Sequence, residues 1–172
     1  ATTPDKAAVI RPATGEELTY RQLDENSTRL ANHLAALGLR PGDAIAMVSE
    51  NDLRMFDVYW AALRSGLYVT AINHHLTADE TNYILADCGA KVLFAGASVT
   101  HAVAATDAIE ILTSPGHRIA WGGTIDGFDD YHATLAQASA APRTDQPRGT
   151  DMLYSSGTTG RPKGIQTPLP DG

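Results

Sequence analysis

The chain has 172 residues, 43% of them hydrophobic and 19% charged, with a net charge of −7. That length can bury roughly 70% of its unfolded surface in a real core, and the composition is that of an ordered, water-facing domain; no apolar run reaches the roughly 20 residues that span a bilayer, which leaves peripheral membrane contact and oligomer formation open. The acidic balance argues against a broad nucleic-acid surface, Ala1-Thr2-Thr3-Pro4-Asp5-Lys6 carries no signal-peptide core, and the single Cys88 excludes an internal disulfide and suits a reducing, cytoplasmic compartment.

Segments 7–10 and 17–19 flank Pro12-Ala13-Thr14-Gly15 and predict a small N-terminal hairpin. Thr19 and Gln22 read as a capping box. The helix it opens carries Leu23, Leu30, Leu34 and Leu37 on one face, with Gly38 as its left-handed stop. Residues 43–48 form an apolar run between Pro41-Gly42 and Ser49-Glu50-Asn51-Asp52, the pattern of a buried parallel strand. A helix with Phe56, Tyr59, Trp60 and Leu63 inward follows and stops at Gly66; the aromatics read as core rather than as a base-stacking platform. Strand 67–72 comes next, then a second capping box, Thr77 to Glu80, opening a helix with Ile84 and Leu85 inward and Gly89 at its end. Cys88 reads there as a buried structural thiol.

Strand 91–95, an Ala-rich helix from Val99 to about Leu112, strand 117–121 and helix 129–138 complete the series. This alternation predicts an α/β fold with a mostly parallel sheet flanked by helices and right-handed crossovers. Residues 139–150 have no period and read as a linker. The chain thus divides into strand–helix repeats over 1–150 and a strand with a phosphate-binding loop over 151–172.

Chemistry concentrates in Tyr154-Ser155-Ser156-Gly157-Thr158-Thr159-Gly160-Arg161-Pro162-Lys163-Gly164. Four hydroxyls, two turn-forming glycines and a cation in so short a span present many donors to an oxygen-rich anion, and phosphate is the usual occupant of such a concavity. A Walker A loop requires Gly-Lys-Ser/Thr opening a helix; here Lys163 is followed by Gly164, and Pro168 and Pro170 oppose a helix. A G-x-G-x-x-G dinucleotide fingerprint fails because position 155 is Ser. Asp151-Met152-Leu153-Tyr154 reads as a short strand, so the expected arrangement is strand–loop–strand. The competing readings are a solvated Ser/Thr/Gly surface turn and, for Lys163, an ordinary hairpin lysine. Adjacent His74 and His75 point apart on an extended segment and read as a polar connection rather than metal ligands. No G-x-S-x-G elbow supports a serine hydrolase.

The loop resembles the signature of the adenylate-forming superfamily, which includes acyl-CoA synthetases, luciferases and peptide-synthetase adenylation domains, at every position from Met152 to Lys163. Leu18-Thr19-Tyr20-Arg21-Gln22-Leu23, Gly38-Leu39-Arg40-Pro41-Gly42-Asp43 and Ala61 to Val69 resemble the same superfamily's opening elements. The resemblance implies the N-terminal part of the large domain of such an enzyme, most like a fatty-acyl-CoA synthetase. It implies a small-molecule carboxylic acid as substrate, with ATP, Mg2+ and coenzyme A as the other reactants and no nucleic-acid partner. By the same resemblance Ser155, Ser156, Gly157, Thr158, Thr159 and Gly160 would hold the β- and γ-phosphates, Lys163 would offset their charge during catalysis, and Thr158 would reach the Mg2+. Arg161 reads as surface. Many members place Thr/Ser-His after the Lys-Gly; here Thr167 is followed by Pro168, so no role for that histidine carries over. Members of the superfamily are several times longer, so the chain reads as a fragment, inactive by itself. An amino-acid or aryl-acid adenylation domain and a non-catalytic nucleotide-binding module are the alternatives.

Overall fold

A computed structural model describes residues 2–104, 106, 109–155 and 162–170. β1 (Ala7–Arg11) and β2 (Glu16–Thr19) form the expected antiparallel hairpin. Thr19 then caps α1 (Tyr20–Ala36): its hydroxyl accepts from the Gln22 N–H while the Gln22 side chain accepts from the Thr19 N–H. β3 (Ala44–Val48), α2 (Arg54–Leu63), β4 (Tyr68–Ile72), α3 (Ala78–Asp87) and β5 (Ala90–Gly96) follow in strict alternation. Thr77 and Glu80 close the second capping box, and Gly38 and Gly89 take positive φ just past α1 and α3.

The sheet has seven strands in the order β7-β6-β5-β3-β4-β8-β9, where β6 is Arg118–Trp121, β7 Asp129–Asp130, β8 Thr150–Ser155 and β9 Lys163–Gln166. All neighbours are parallel except β8 and β9. The chain steps from β3 to β4 on one side and then crosses back to β5 on the other. With right-handed crossovers such a reversal puts successive helices on opposite faces. Strand β3 shows the result directly. Ile45 and Met47 face α1, α2 and the short α5 (Tyr131–Gln137), whereas Ala44, Ala46 and Val48 face α3 and α4 (Thr100–Val103). Every residue of β3 is buried, as a strand covered on both faces must be. Cys88 is buried at the end of α3, and burial pushes its thiol up.

Three expectations are corrected. The face that α2 buries is only partly the one expected: Tyr59 and Leu63 are half-buried and Tyr59 packs against the core, but Phe56 is 42% and Trp60 45% exposed, and the fully buried residues are Asp57, Val58, Ala61 and Ala62. Small side chains let α2 approach both α1 and the sheet, and the large aromatics are left on its flank. The helix expected over 99–112 is α4 alone among the described residues: it follows a 3₁₀ turn at Ala97–Val99 and ends at Val103, and Ile109 is extended (φ −102°, ψ 100°) before a further 3₁₀ turn at Glu110–Thr113. Helix 129–138 starts later, since Asp129–Asp130 pairs beside β6 and Asp130 accepts from the Ala133 N–H at 2.8 Å as the cap of α5.

Asp57 is the one buried carboxyl among the described residues, 1% exposed between α1 and α5. Its Oδ2 accepts from the Tyr131 hydroxyl at 2.6 Å and from Asn26 Nδ2 at 3.1 Å, while Oδ1 has no hydrogen-bond partner. Desolvation outweighs these bonds and the nearby Arg54, and the carboxyl is pushed up to about 6. The fold therefore prefers the protonated form. Its contribution is complete below the unfolded value of 3.8 and is lost as pH rises through about 6. The loss is on the order of 3 kcal/mol at neutral pH. Asp57→Asn keeps an acceptor for Tyr131 without the charge. In urea titrations at pH 4, 5, 6 and 7, its stability relative to the wild-type chain should rise across that range, reaching an advantage of about 1–3 kcal/mol at pH 7. A constant difference would show that Asp57 does not titrate in this window.

Candidate functional site

The segment 139–150 has no regular structure before Thr150, yet it is tied to the core. Asn32 Nδ2 donates to the carbonyls of Ser139 (2.8 Å) and Ala141 (3.0 Å), and Arg143 donates to Ala31 O. At its end Gly149 N–H donates to Leu63 O at 2.7 Å and Thr150 N–H to Leu67 O at 3.1 Å. The chain thereby enters the sheet beside β4, with Thr150 opposite Tyr68 and Asp151 opposite Val69. β8 runs parallel to β4, so its C-terminal end lies at the same sheet edge as the connections that leave β3 and β4. Ligands of open α/β sheets bind at this edge.

β9 returns antiparallel, pairing Ser155 with Lys163, Tyr154 with Gly164, Leu153 with Ile165 and Met152 with Gln166. The two strands expected on either side of the connection are therefore present and paired. Of the anticipated site residues, the structure places Ser155 and Lys163 directly across from one another at the mouth of the connection. Ser156, Gly157, Thr158, Thr159 and Gly160, together with Arg161, lie outside the described residues.

Alternation along the two strands sorts their side chains. Ser155 and Lys163 share one face with Leu153 and Ile165, which are 60% and 51% exposed. Met152 and Tyr154 pack on the other face against the core beneath α3. Lys163 is exposed and has no ion-pair partner among the described residues. The two carboxylates bonded to this region are engaged by phenols instead: Tyr59 donates to Asp151 at 3.1 Å, and Tyr154 donates to Asp87 at 2.6 Å. Burial and the Asp87 carboxylate both push the Tyr154 phenol up. A third tyrosine, Tyr68, donates to Thr167 O at 2.8 Å and holds the segment that leaves β9.

This mouth can offer a hydroxyl and an uncommitted ammonium to an anion. These are hard donors that fit phosphate oxygens and, for the hydroxyls, a hard cation such as Mg2+. Motif reading passed over three residues of this construction. Gly149 sits in a segment that reads as a mere linker. Gly164 enters the sequence reading only as the residue that breaks the Walker A pattern, whereas a Cβ there would lie 2.8 Å from Met152 Cε and 3.0 Å from the Tyr154 hydroxyl. Asp87 has no local signal that it meets Tyr154.

The sequence matches the family described as AMP-binding enzyme over residues 1–168. It is 32% identical over 168 residues to the long-chain-fatty-acid–CoA ligase FadD13 of Mycobacterium tuberculosis, an alignment covering 94% of the chain and 32% of the relative. It is 34% identical over 154 residues to the feruloyl-CoA synthase of Amycolatopsis, covering 87% of the chain and 28% of the relative. Among solved structures, the anthranilate CoA ligase AuaEII in complex with anthranoyl-AMP superposes with a TM-score of 0.79 at 25% identity, covering 94% of the chain and 31% of that protein. The chain spans about a third of the length of these relatives.

Gly149 supplies a test of how the hairpin is placed. A Cβ at this position would press on the Leu67 carbonyl oxygen and lie 2.8 Å from Ala62 O and 2.9 Å from Leu67 N, all backbone atoms that cannot rotate away. Gly149→Ala should therefore cost about 3 kcal/mol, read as a lower midpoint in denaturant titration. Wild-type stability in that variant would mean that β8 enters the sheet by another path.

Proposed function

The chain belongs to the AMP-binding enzyme family, and from that premise we propose that it forms the N-terminal portion of an AMP-forming acyl-CoA synthetase. The observation that carries this reading is the exposed ammonium of Lys163, without an ion-pair partner among the described residues, paired across the hairpin with Ser155. Further support comes from the CoA ligases among its relatives and from the acyl-adenylate bound to AuaEII.

A carboxylate is a poor acylating agent because oxide is a poor leaving group. In the proposed reaction one carboxylate oxygen attacks the α-phosphorus of ATP, the bond to the bridging oxygen breaks, and pyrophosphate departs with that electron pair. The thiol of coenzyme A then displaces AMP from the acyl group. The protein's part in the first step is to hold the departing group and meet its charge. Ser155, Ser156, Thr158 and Thr159 would donate hydroxyls to the β- and γ-phosphates, and Gly157 and Gly160 would bring backbone N–H groups close. Lys163 would act as a point cation. At an effective dielectric of 20, an ammonium about 4 Å from a unit negative charge gains roughly 4 kcal/mol. That exceeds the about 1.4 kcal/mol of barrier equivalent to a tenfold rate. Thr158 would supply an oxygen ligand to Mg2+, which neutralises phosphate charge when bound.

The substrate is proposed to be a fatty or other hydrophobic acid. An aryl acid is the second reading, favoured by the likeness to feruloyl-CoA synthase and the anthranilate ligase. ATP–pyrophosphate exchange by the complete protein, across fatty, aryl and amino acids, separates these readings. Exchange with none of them would indicate a non-catalytic nucleotide-binding module. Lys163→Ala in the complete protein should slow exchange at least tenfold; an unchanged rate would remove Lys163 from the mechanism. The isolated chain of 172 residues should form no thioester, and mass-spectrometric detection of acyl-CoA from it would overturn that expectation.

A further inference from the structure

Described pairing between β8 and β4 covers Thr150 and Asp151. The four residues that lead to the mouth, Met152 to Ser155, pair with β9 instead. β9 is itself the last strand of the sheet. The hairpin therefore needs anchors other than the sheet ladder; on its covered face Met152 is buried in the core and Tyr154 supplies the polar anchor. Its hydroxyl reaches Asp87, the last residue of α3, at 2.6 Å, the short distance of a bond to a carboxylate. Helix α3 is fixed on either side of Asp87 by buried Ile84, Leu85 and Cys88. Gly164, the cross-strand partner of Tyr154, leaves the space that the phenol occupies.

We propose that Asp87 and Tyr154 are positioning residues: their hydrogen bond carries the fixed location of α3 to the hairpin and so sets where Ser155 and Lys163 stand relative to a bound phosphate. This rests on the reading of the loop as the site of adenylation. Tyr154 directly precedes Ser155, and its partner Gly164 directly follows Lys163, so one bond constrains both sides of the mouth. Catalysis that works by placing charge against a departing group is sensitive to such placement, and displacements near 1 Å can cost about a hundredfold.

Two measurements on Tyr154→Phe, Asp87→Ala, Asp87→Asn and the Tyr154→Phe/Asp87→Ala pair test the proposal. In the complete protein, kcat for ATP–pyrophosphate exchange should fall about tenfold in Tyr154→Phe and in Asp87→Ala, with KM for the carboxylic acid unchanged. The double variant should be no slower than either single one, and Asp87→Asn, which keeps an oxygen acceptor, should retain most of the rate. Wild-type kcat in Tyr154→Phe, or losses that multiply in the double variant, would overturn the proposal. The second measurement is amide hydrogen exchange on the 172-residue chain. Tyr154→Phe should accelerate exchange in β9 about tenfold while leaving β3 and α3 as in the wild type. Unaltered protection of β9, or a uniform loss everywhere, would also overturn it. If the wild-type protein exchanges pyrophosphate with no acid, the adenylation reading fails, and hydrogen exchange alone decides whether Asp87 and Tyr154 hold the hairpin.

Discussion

Gly149 passes so close to the α2–β4 turn that its N–H bonds Leu63 O at 2.7 Å and no side chain would fit between it and the Leu67 backbone. That contact decides the register in which β8 joins β4, and with it the end of the sheet from which the hydroxyl-rich loop emerges. A strand inserted one residue out of register would turn Tyr154 toward solvent and Leu153 toward the core. It would also carry Ser155 and Lys163 to the opposite face. The bonds from Asn32 and Arg143 serve the same end, since they hold the aperiodic 139–150 segment against α1 and deliver Gly149 to its place.

Electrostatics impose a second constraint. A chain with net charge −7 repels a polyphosphate at long range, but at physiological salt such repulsion is screened beyond roughly 8 Å. Binding then depends on what lies in contact. Several acidic groups elsewhere are matched by cations: Asp52 by Arg54 at 3.1 Å, Glu16 by Arg54 at 3.3 Å, Asp43 by Lys91 at 2.7 Å. At the hairpin the carboxylates of Asp151 and Asp87 are met by neutral phenols. That choice of partner satisfies the acids without drawing in Lys163, whose charge stays available on the open face.

Local chemistry made much of this architecture readable. Two capping boxes, the glycine stops and the apolar run of β3 each state their structure within a few residues, and all appear in the fold. The family signature likewise lies in one unbroken stretch. Errors arose where burial runs against residue type. The inward stripe of α2 contains Asp57 amid Val58, Ala61 and Ala62, so it looks polar and small, and the larger Phe56 and Trp60 draw the eye to the wrong face. The segment after Val99 has helical composition, but α4 ends at Val103 and Ile109 is extended. Links such as Tyr154 to Asp87 and Tyr59 to Asp151 join residues far apart in sequence. They follow from which strands neighbour one another, and no window of sequence contains that information.

The shape of the hairpin also explains the composition of the loop. Where a phosphate cradle opens a helix, the helix supplies aligned N–H groups and a partial positive charge, and its length makes the cradle rigid. β9 follows here, and strands have almost no net dipole. In the proposed reading the charge comes instead from a side chain, Lys163, and the donors from the hydroxyls, which is what the density of Ser and Thr in 155–159 would supply. Rigidity must be supplied from outside as well, because a two-stranded hairpin is marginal by itself. The phenols of Tyr59, Tyr68 and Tyr154 provide it, each bridging the hairpin or its exit to a different part of the α/β layer. On that proposal, replacing a helix by a hairpin moves three functions of a helix terminus onto individual side chains: charge onto Lys163, donors onto the hydroxyls, and rigidity onto the three phenols.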